Sequence, residues 1–284
     1  MYPWCEMDVL PNSFSTGEAR KKEMRNLIAS LTIVCLALCL CAIPQAAEDR
    51  SLVLYFDFED GVGKTVKDRS DYGNDGKIEG KAKWVDGNFG KGLEFDGSSF
   101  IVVPDADEFH ITDKLTLACW AKVHKVVGAY NFLVCRWNWA GGNHRCYETY
   151  LNAGAPAFVV SSDGADAGAT SFVSPDKAKL DTWVNIVGVF DGSKVMTYVD
   201  GKKMGSANHK GEIVDVETSV IIGDNNKGGD VNFRFYGIMD EVAIYNRDLS
   251  QDEINKKMAK GHLLAVADPD GKLSTTWGNI KFQY

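Results

Sequence analysis

The sequence holds little of what most catalytic and metal centres are built from. Its 284 residues include five scattered histidines, seven cysteines and no Cys-x-x-Cys pair, so a zinc site has little to build on. No Gly-x-Ser-x-Gly elbow, His-Glu-x-x-His helix or phosphate-cradling glycine loop occurs, which removes the common signatures of serine hydrolases, zinc proteases and nucleotide enzymes. Lysine and arginine form no long stripe and the formal net charge is −8. Nucleic acid is therefore not an expected partner, because phosphate recognition needs clustered cations. Proline is limited to seven residues, and no Pro/Ser-rich linker divides residues 48–262, which reads as one domain followed by a polar tail, 263–284.

Long hydrophobic runs are also scarce, and the one present is at the N-terminus. Leu27–Ile43 follows Arg20, Lys21, Lys22 and Arg25 and precedes PQAAED, the layout of a secretory signal peptide cleaved after Ala46 or Ala47. Residues 1–47 are read as an N-terminal extension and signal, with Met1 or Met24 as the start. An uncleaved membrane anchor is the alternative. A lipoprotein cleavage before Cys39 or Cys41 is disfavoured by Leu38 and Leu40. The expected location is secreted, cell-surface or periplasmic. Removal of the segment leaves Cys119, Cys135 and Cys146. An odd count leaves one thiol free; Cys135 and Cys146 flank a hairpin-like loop and can pair across it, or all three are small buried thiols.

From Ser51 onward short alternating apolar segments are broken by Gly, Asp and Asn turns. SLVLYFDFED, GLEFDG, FIVVP, KLTLACWAKV, NFLVCRW, CYETYLN, AFVVSSD, WVNIVGVFDG, KVMTYVDGKK, SVIIGDN and FYGIMDEVAIY read as strands. Asp-Gly pairs supply hairpin turns, and SSDGADAGATS reads as a hairpin tip. Only Leu249–Gly261 reads as helix, with Ser250 and Glu253 forming a capping box and Gly261 a C-cap. One more strand is possible at Leu273–Phe282. The pattern predicts an all-β, antiparallel two-sheet sandwich with one short C-terminal helix.

Taken in order, LVLYFDFEDG, VKDRSDYGNDGKIEG, FGKGLEFDGSSFIVVPD, LTLACWAKV, DTWVNIVGVFDGSKVMTYVDGKKMG, IIGDNN and FYGIMDEVAIYNRDLSQDEI resemble the laminin-G-like domains of the concanavalin A-like lectin/glucanase superfamily. The second half also resembles pentraxins, in the VDGK turn, the II-G-polar loop and the closing strand and helix. The resemblance implies a jelly-roll sandwich whose first and last strands lie side by side. It does not by itself imply a function, since the fold hosts lectins, adhesion modules, glycosidases and spacers.

Four constellations are candidates for chemistry. EIVDVE, Glu212–Glu217, resembles the acidic strand of laminarinase-type glucanases, in which two carboxylates must stand roughly 5–5.5 Å apart for retaining hydrolysis. Here the first spacing is three rather than two, so Asp215 and Glu217 share a face and Glu212 does not. Calcium takes roughly six to eight oxygen ligands. Resemblance to pentraxins implies ligands at Asp224, Asn225 and Asn226, although the matching loop offers Asn138 and Asn143 without an acid. If the terminal strands are neighbours, Asp57 and Asp240 form a second calcium candidate. In a regular strand Asp240 and Glu241 point to opposite faces and cannot act as an acid/base dyad. One would face solvent; the other, near the core margin, would need a cation, turn amides or Arg247.

The loop CRWNWAGGNHRCY sets Trp137 and Trp139 on one face beside Asn138, Asn143, His144 and Arg145. Indole faces stack on sugars, and amides and arginine bond hydroxyls. The expectation is an exported non-catalytic module for carbohydrate or a surface or matrix protein ligand, calcium-assisted if Asp224 and Asn226 or Asp57 and Asp240 bind the ion. A glycosidase using Asp215 and Glu217 and a structural surface scaffold are the alternatives.

Overall fold

Strand β7 (Leu115–Val123) shows how the sequence makes the architecture. Leu115, Leu117, Cys119, Ala121 and Val123 enter the main core, while Ala118 joins a separate cluster on the opposite face. That period of two requires apolar material on both sides of the sheet. The computed structural model describes residues 21–22, 24–25, 49–138, 144–225 and 231–260. The chain divides into two compact units, Met1–Ala47 and Glu48–Tyr284, and the fold below is that of the second. The expected signal run, the tail from Gly261 onward and its possible strand Leu273–Phe282 lie outside the described residues.

Two antiparallel sheets face each other across the main core. The first runs, in spatial order, β14 (Lys202–Asn208), β13 (Lys194–Val199), β12 (Trp183–Phe190), β7, β16 (Tyr236–Tyr245), β5 (Lys91–Asp96) and β4 (Lys83–Asp86). β1 (Leu52–Phe56) also pairs with β16. The second runs β11 (Ala169–Val173), β10 (Ala155–Ser161), β9 (His144–Asn152), β8 (Tyr130–Asn138), β15 (Val220–Ile222), β6 (Phe100–Val103), β3 (Gly76–Glu79) and β2 (Thr65–Val66). This is the expected all-β jelly-roll sandwich, and its first and last strands do lie side by side, with Leu54 opposite Ile244 and Phe56 opposite Val242. The β13–β14 turn places Asp200 at φ 47 and Gly201 at φ 73, the two left-handed residues a type I′ hairpin needs. Strands β2, β3, β4, β11 and β14 were not expected. All but β3 sit at sheet edges, and most carry exposed polar residues that blur the alternation. The core is close-packed: at Gly188 a Cβ would sit 2.3 Å from the Phe158 ring.

Helix α1 (Gln251–Lys260) starts as expected. The Ser250 N–H donates to Glu253 Oε2 at 2.9 Å, and the Glu253 N–H donates to Ser250 Oγ at 3.3 Å. Leu249 and Ile254 then close the outer face of the first sheet, packing with Leu52, Tyr55, Ala118, Val187 and Tyr245.

The acidic pair departs from expectation. A bulge interrupts β16 between Asp240 and Ala243, with Glu241 in the left-handed region at φ 52. Met239 and Val242 both face the main core, so both acids are accommodated on the outer side of the strand rather than on opposite faces. Neither faces solvent: Asp240 is 0% and Glu241 2% exposed. A bulge also corrects the disulfide expectation. Arg136 stands opposite Tyr147 and Trp137 opposite Arg145, which leaves Cys146 as the extra residue. Cys146 belongs to the main core and Cys135 to the cluster on the outer face of the second sheet. Lying on opposite faces, they cannot bond, and all three described cysteines are free and buried.

Candidate functional site

The outer face of the second sheet is an aromatic floor. Cross-strand register aligns Cys135, Glu148, Val159 and Ser171 in one row across β8, β9, β10 and β11, and Phe132, Tyr150, Ala157 and Val173 in the next. Trp137 faces Arg145 in a third row. Phe132 touches Trp137, Tyr150 and Phe233 with ring centroids 5.7–6.0 Å apart. Tyr130 stacks on Phe233 at 6.4 Å and leans on Tyr150 at 5.7 Å. Above this floor lies a groove of about 400 Å³, flanked by Phe233 and by Asp166 of the β10–β11 turn. Tyr130 is 42% exposed and presents an open ring, the kind of surface that receives an apolar sugar face.

The polar groups of the groove form one chain. Arg145 lies over the Trp137 indole, its guanidinium carbon 4.4 Å from the ring centroid. Its Nε is 3.2 Å from Glu148 Oε1, and its Nη1 is 3.0 Å from Asp166 Oδ1. Glu148 is buried at the floor, while the Asp166 side chain is 81% exposed at the rim. Burial pushes the Glu148 carboxyl up to about 7, against the opposing pull of Arg145 and of the Cys135 thiol 3.8 Å away. The Tyr150 phenol is likewise raised by burial, to about 12.

Of the residues expected to contact ligand, Trp137 and Arg145 are in this groove. Trp137 is only 3% exposed and Arg145 lies over its face. The backbones of Asn138 and His144 pair at the end of the β8–β9 ladder. Trp139, Asn143 and the side chains of Asn138 and His144 lie outside the described residues. Sequence reasoning missed Tyr130, Glu148, Tyr150, Asp166 and Phe233. A signal existed for one of them: Glu148 is an acid inside the apolar strand CYETYLN, where a lone charge demands a partner.

Among the described residues, the candidate calcium ligands are engaged by protein donors. The Asp57 carboxylate is taken by Arg69 Nε at 3.1 Å. Asp240 accepts from the Phe89 amide at 2.9 Å and the Glu241 amide at 2.8 Å, so it meets main-chain donors. Burial nonetheless lifts Asp240 to about 7. Asp224 is held by Arg234 Nε at 3.2 Å and by the Asn225 amide, and Asn226 lies outside the described residues. Among the described residues, no three His, Cys, Asp or Glu side chains converge as a metal site.

Nor does EIVDVE enter the groove. It forms no strand, and Asp215 instead bonds His110 Nδ1 at 2.7 Å and Arg136 Nη1 at 3.2 Å. Although burial opposes it, these two partners hold the Asp215 carboxyl below the usual range. Arg136 is almost fully buried and also reaches Asp105 at 3.1 Å. The cluster ties the loops before η1 (Asp107–Phe109) and after β14 to the sheet.

A Laminin_G_3 family model, described as concanavalin A-like lectin/glucanases superfamily, matches residues 95–255, more than half of the chain. No curated protein matches. Among solved structures, the binding domain of Paraclostridial Mosquitocidal Protein 1 aligns at 17% identity and TM-score 0.59, over 74% of this chain and 52% of that one. Domain 4 of AbnA, a GH43 extracellular arabinanase from Geobacillus stearothermophilus solved with arabinotriose, aligns at 16% identity and TM-score 0.59, over 72% of this chain and 97% of that domain. The botulinum neurotoxin serotype D/C binding domain aligns at 11% identity and TM-score 0.60, over 76% and 53%. The chain thus spans about half of the toxin domains and nearly all of the arabinanase domain. At these identities the likeness is one of fold.

Proposed function

This chain belongs to the concanavalin A-like lectin/glucanases superfamily, and from that premise we propose that it is an exported, non-catalytic module that binds carbohydrate in the groove on its second sheet. The observation that carries the reading is a single groove lined by the open Tyr130 ring and, further along it, by the Arg145–Asp166 pair. A saccharide site needs an aromatic face for stacking and polar groups for hydroxyl recognition, and the groove supplies both along its length. Arg145 is already matched by two carboxylates, which favours a neutral saccharide over an anionic one. The N-terminal run Leu27–Ile43 with its basic flank supports export.

The test is calorimetric titration with neutral oligosaccharides, with arabinotriose as the first probe. Wild type should bind, and Tyr130→Ala should weaken binding by about tenfold or more, the scale of losing one stacking platform. Binding is expected to persist in a chelator, given the arginine and amide partners of Asp57, Asp224 and Asp240. No binding across a panel of neutral glycans by folded protein would move the reading to a protein ligand or a scaffold.

A hydrolytic reading has one observation in its favour, the Glu148 carboxyl raised to about 7 in an aromatic groove. Its weakness is the second carboxylate: Asp166 is exposed at the rim and shares Arg145 with Glu148, whereas hydrolysis needs two acids flanking one bond. Release of reducing sugar that vanished in Glu148→Gln would establish hydrolysis.

A further inference from the structure

We propose that Glu148 is the positioning residue of the groove, and that by its ionisation it sets where Arg145 points and therefore how tightly the site holds its ligand. The inference rests on the carbohydrate reading of the same groove and adds its regulation.

Arg145 lies between two carboxylates. Its Nε is 3.2 Å from Glu148 at the floor, an ion pair without hydrogen-bond alignment, and its Nη1 is 3.0 Å from Asp166 at the rim. The guanidinium between them lies 4.4 Å over the Trp137 ring, whose face attracts it. Glu148 is 2% exposed, so its charge is poorly screened and its partner set is small. From β8 it meets the Cys135 thiol; from its own strand it meets Arg145 and the Tyr150 phenol; the β10–β11 turn contributes the charge of Asp166. Its neighbour across β10 is Val159, which offers no charge. Among the described residues, Arg145 is thus the one cation acting on Glu148.

Ionised Glu148 draws Arg145 inward and leaves Nη1 aimed at the rim, a preorganised donor for a hydroxyl. Protonated Glu148 no longer attracts the guanidinium, which then answers to the Trp137 face, to exposed Asp166 and to water. Because burial raises the carboxyl to about 7, the change falls within the neutral range. The ordered, higher-affinity form prevails above that value and the slack form below it.

Two measurements test this, one of which needs no ligand. The first is the ¹⁵N-indole resonance of Trp137 between about pH 5.5 and about pH 8. It should move with a midpoint near 7 in wild type and stay flat in Glu148→Gln. The second is arabinotriose affinity at the two ends of that range. Wild type should bind about tenfold more tightly at the upper pH, the scale of one charge-assisted hydrogen bond. Glu148→Gln should bind at both pH values like wild type at the lower one. A Trp137 resonance that does not move in wild type overturns the inference, as does a Glu148→Gln protein that keeps the wild-type pH slope. Titration of Trp137 without arabinotriose binding at either pH overturns the choice of ligand and supports the coupling itself.

Discussion

The two outward faces of this sandwich are made of the same ingredients and end differently. On the first sheet Tyr55, Tyr245, Ala118 and Val187 are sealed by Leu249 and by Ile254 of the helix. On the second sheet Phe132, Trp137, Tyr150 and Val159 form a comparable layer, flanked among the described residues only by Phe233 and a turn. Each face buries a carboxyl raised to about 7, Asp240 on the first and Glu148 on the second. Asp240 is answered by main-chain amides, which the fold holds in place. Glu148 is answered by a side chain whose other end reaches solvent. A buried acid held by amides is part of the scaffold, whereas one held by an arginine at a groove is coupled to whatever enters the groove.

The sharpest way to break the contrast is to remove the scaffold acid. Asp240→Ala strands the amides of Phe89 and Glu241 in a dry setting and should cost about 3 kcal/mol. Chemical denaturation would show this as a lower midpoint with little change in slope. A loss below about 1 kcal/mol would mean that the amide cradle does not anchor the β16 bulge.

The groove acid should behave in the opposite sense. A carboxyl with a folded value near 7 and an unfolded value near 4.5 keeps its proton longer in the folded state. Its contribution to stability is therefore greatest below the unfolded value and declines as pH rises to about 7. Glu148→Gln removes that penalty. The variant should match wild type near pH 5 and exceed it by about 2 kcal/mol near pH 8. Equal destabilisation at both pH values would place Glu148 with Asp240, as scaffold.

This contrast was only half legible in the sequence. Alternation in LTLACWAKV and the Asp200–Gly201 turn announced the strands and hairpins directly, because period two and left-handed turn residues are local properties. Ser250 and Glu253 announced the helix cap for the same reason. The groove is non-local: Tyr130, Glu148, Val159 and Ser171 line it together only through the register of four strands, and the bulge in β9 shifts side chains by one position. Trp137 and Arg145 were found because they share a loop, but which of them would be exposed depended on Arg145 lying over the indole. The bulge at Asp240 reversed the regular-strand reading of the acidic pair, since it sets Met239 and Val242 on the same side of the strand.

Two smaller effects sharpen the comparison. Ser250→Ala removes the cap of the helix that seals the first face and should cost about 1 kcal/mol. Thermal denaturation would report it, with added dye binding as Leu249 and Ile254 lift from Tyr245. The smallest stability effect belongs to the open face. Asp166→Asn alters a rim residue that is 81% exposed, and an exposed ion pair of this kind contributes within about 0.5 kcal/mol. Its unfolding midpoint should coincide with wild type, while arabinotriose binding weakens because the outer end of Arg145 has lost its partner. A face whose substitutions change binding without changing stability is a surface the fold can spare for a ligand. If Asp166→Asn instead lowered stability as much as Ser250→Ala does, the second face would be a sealed layer like the first, and the groove would be a seam in the scaffold.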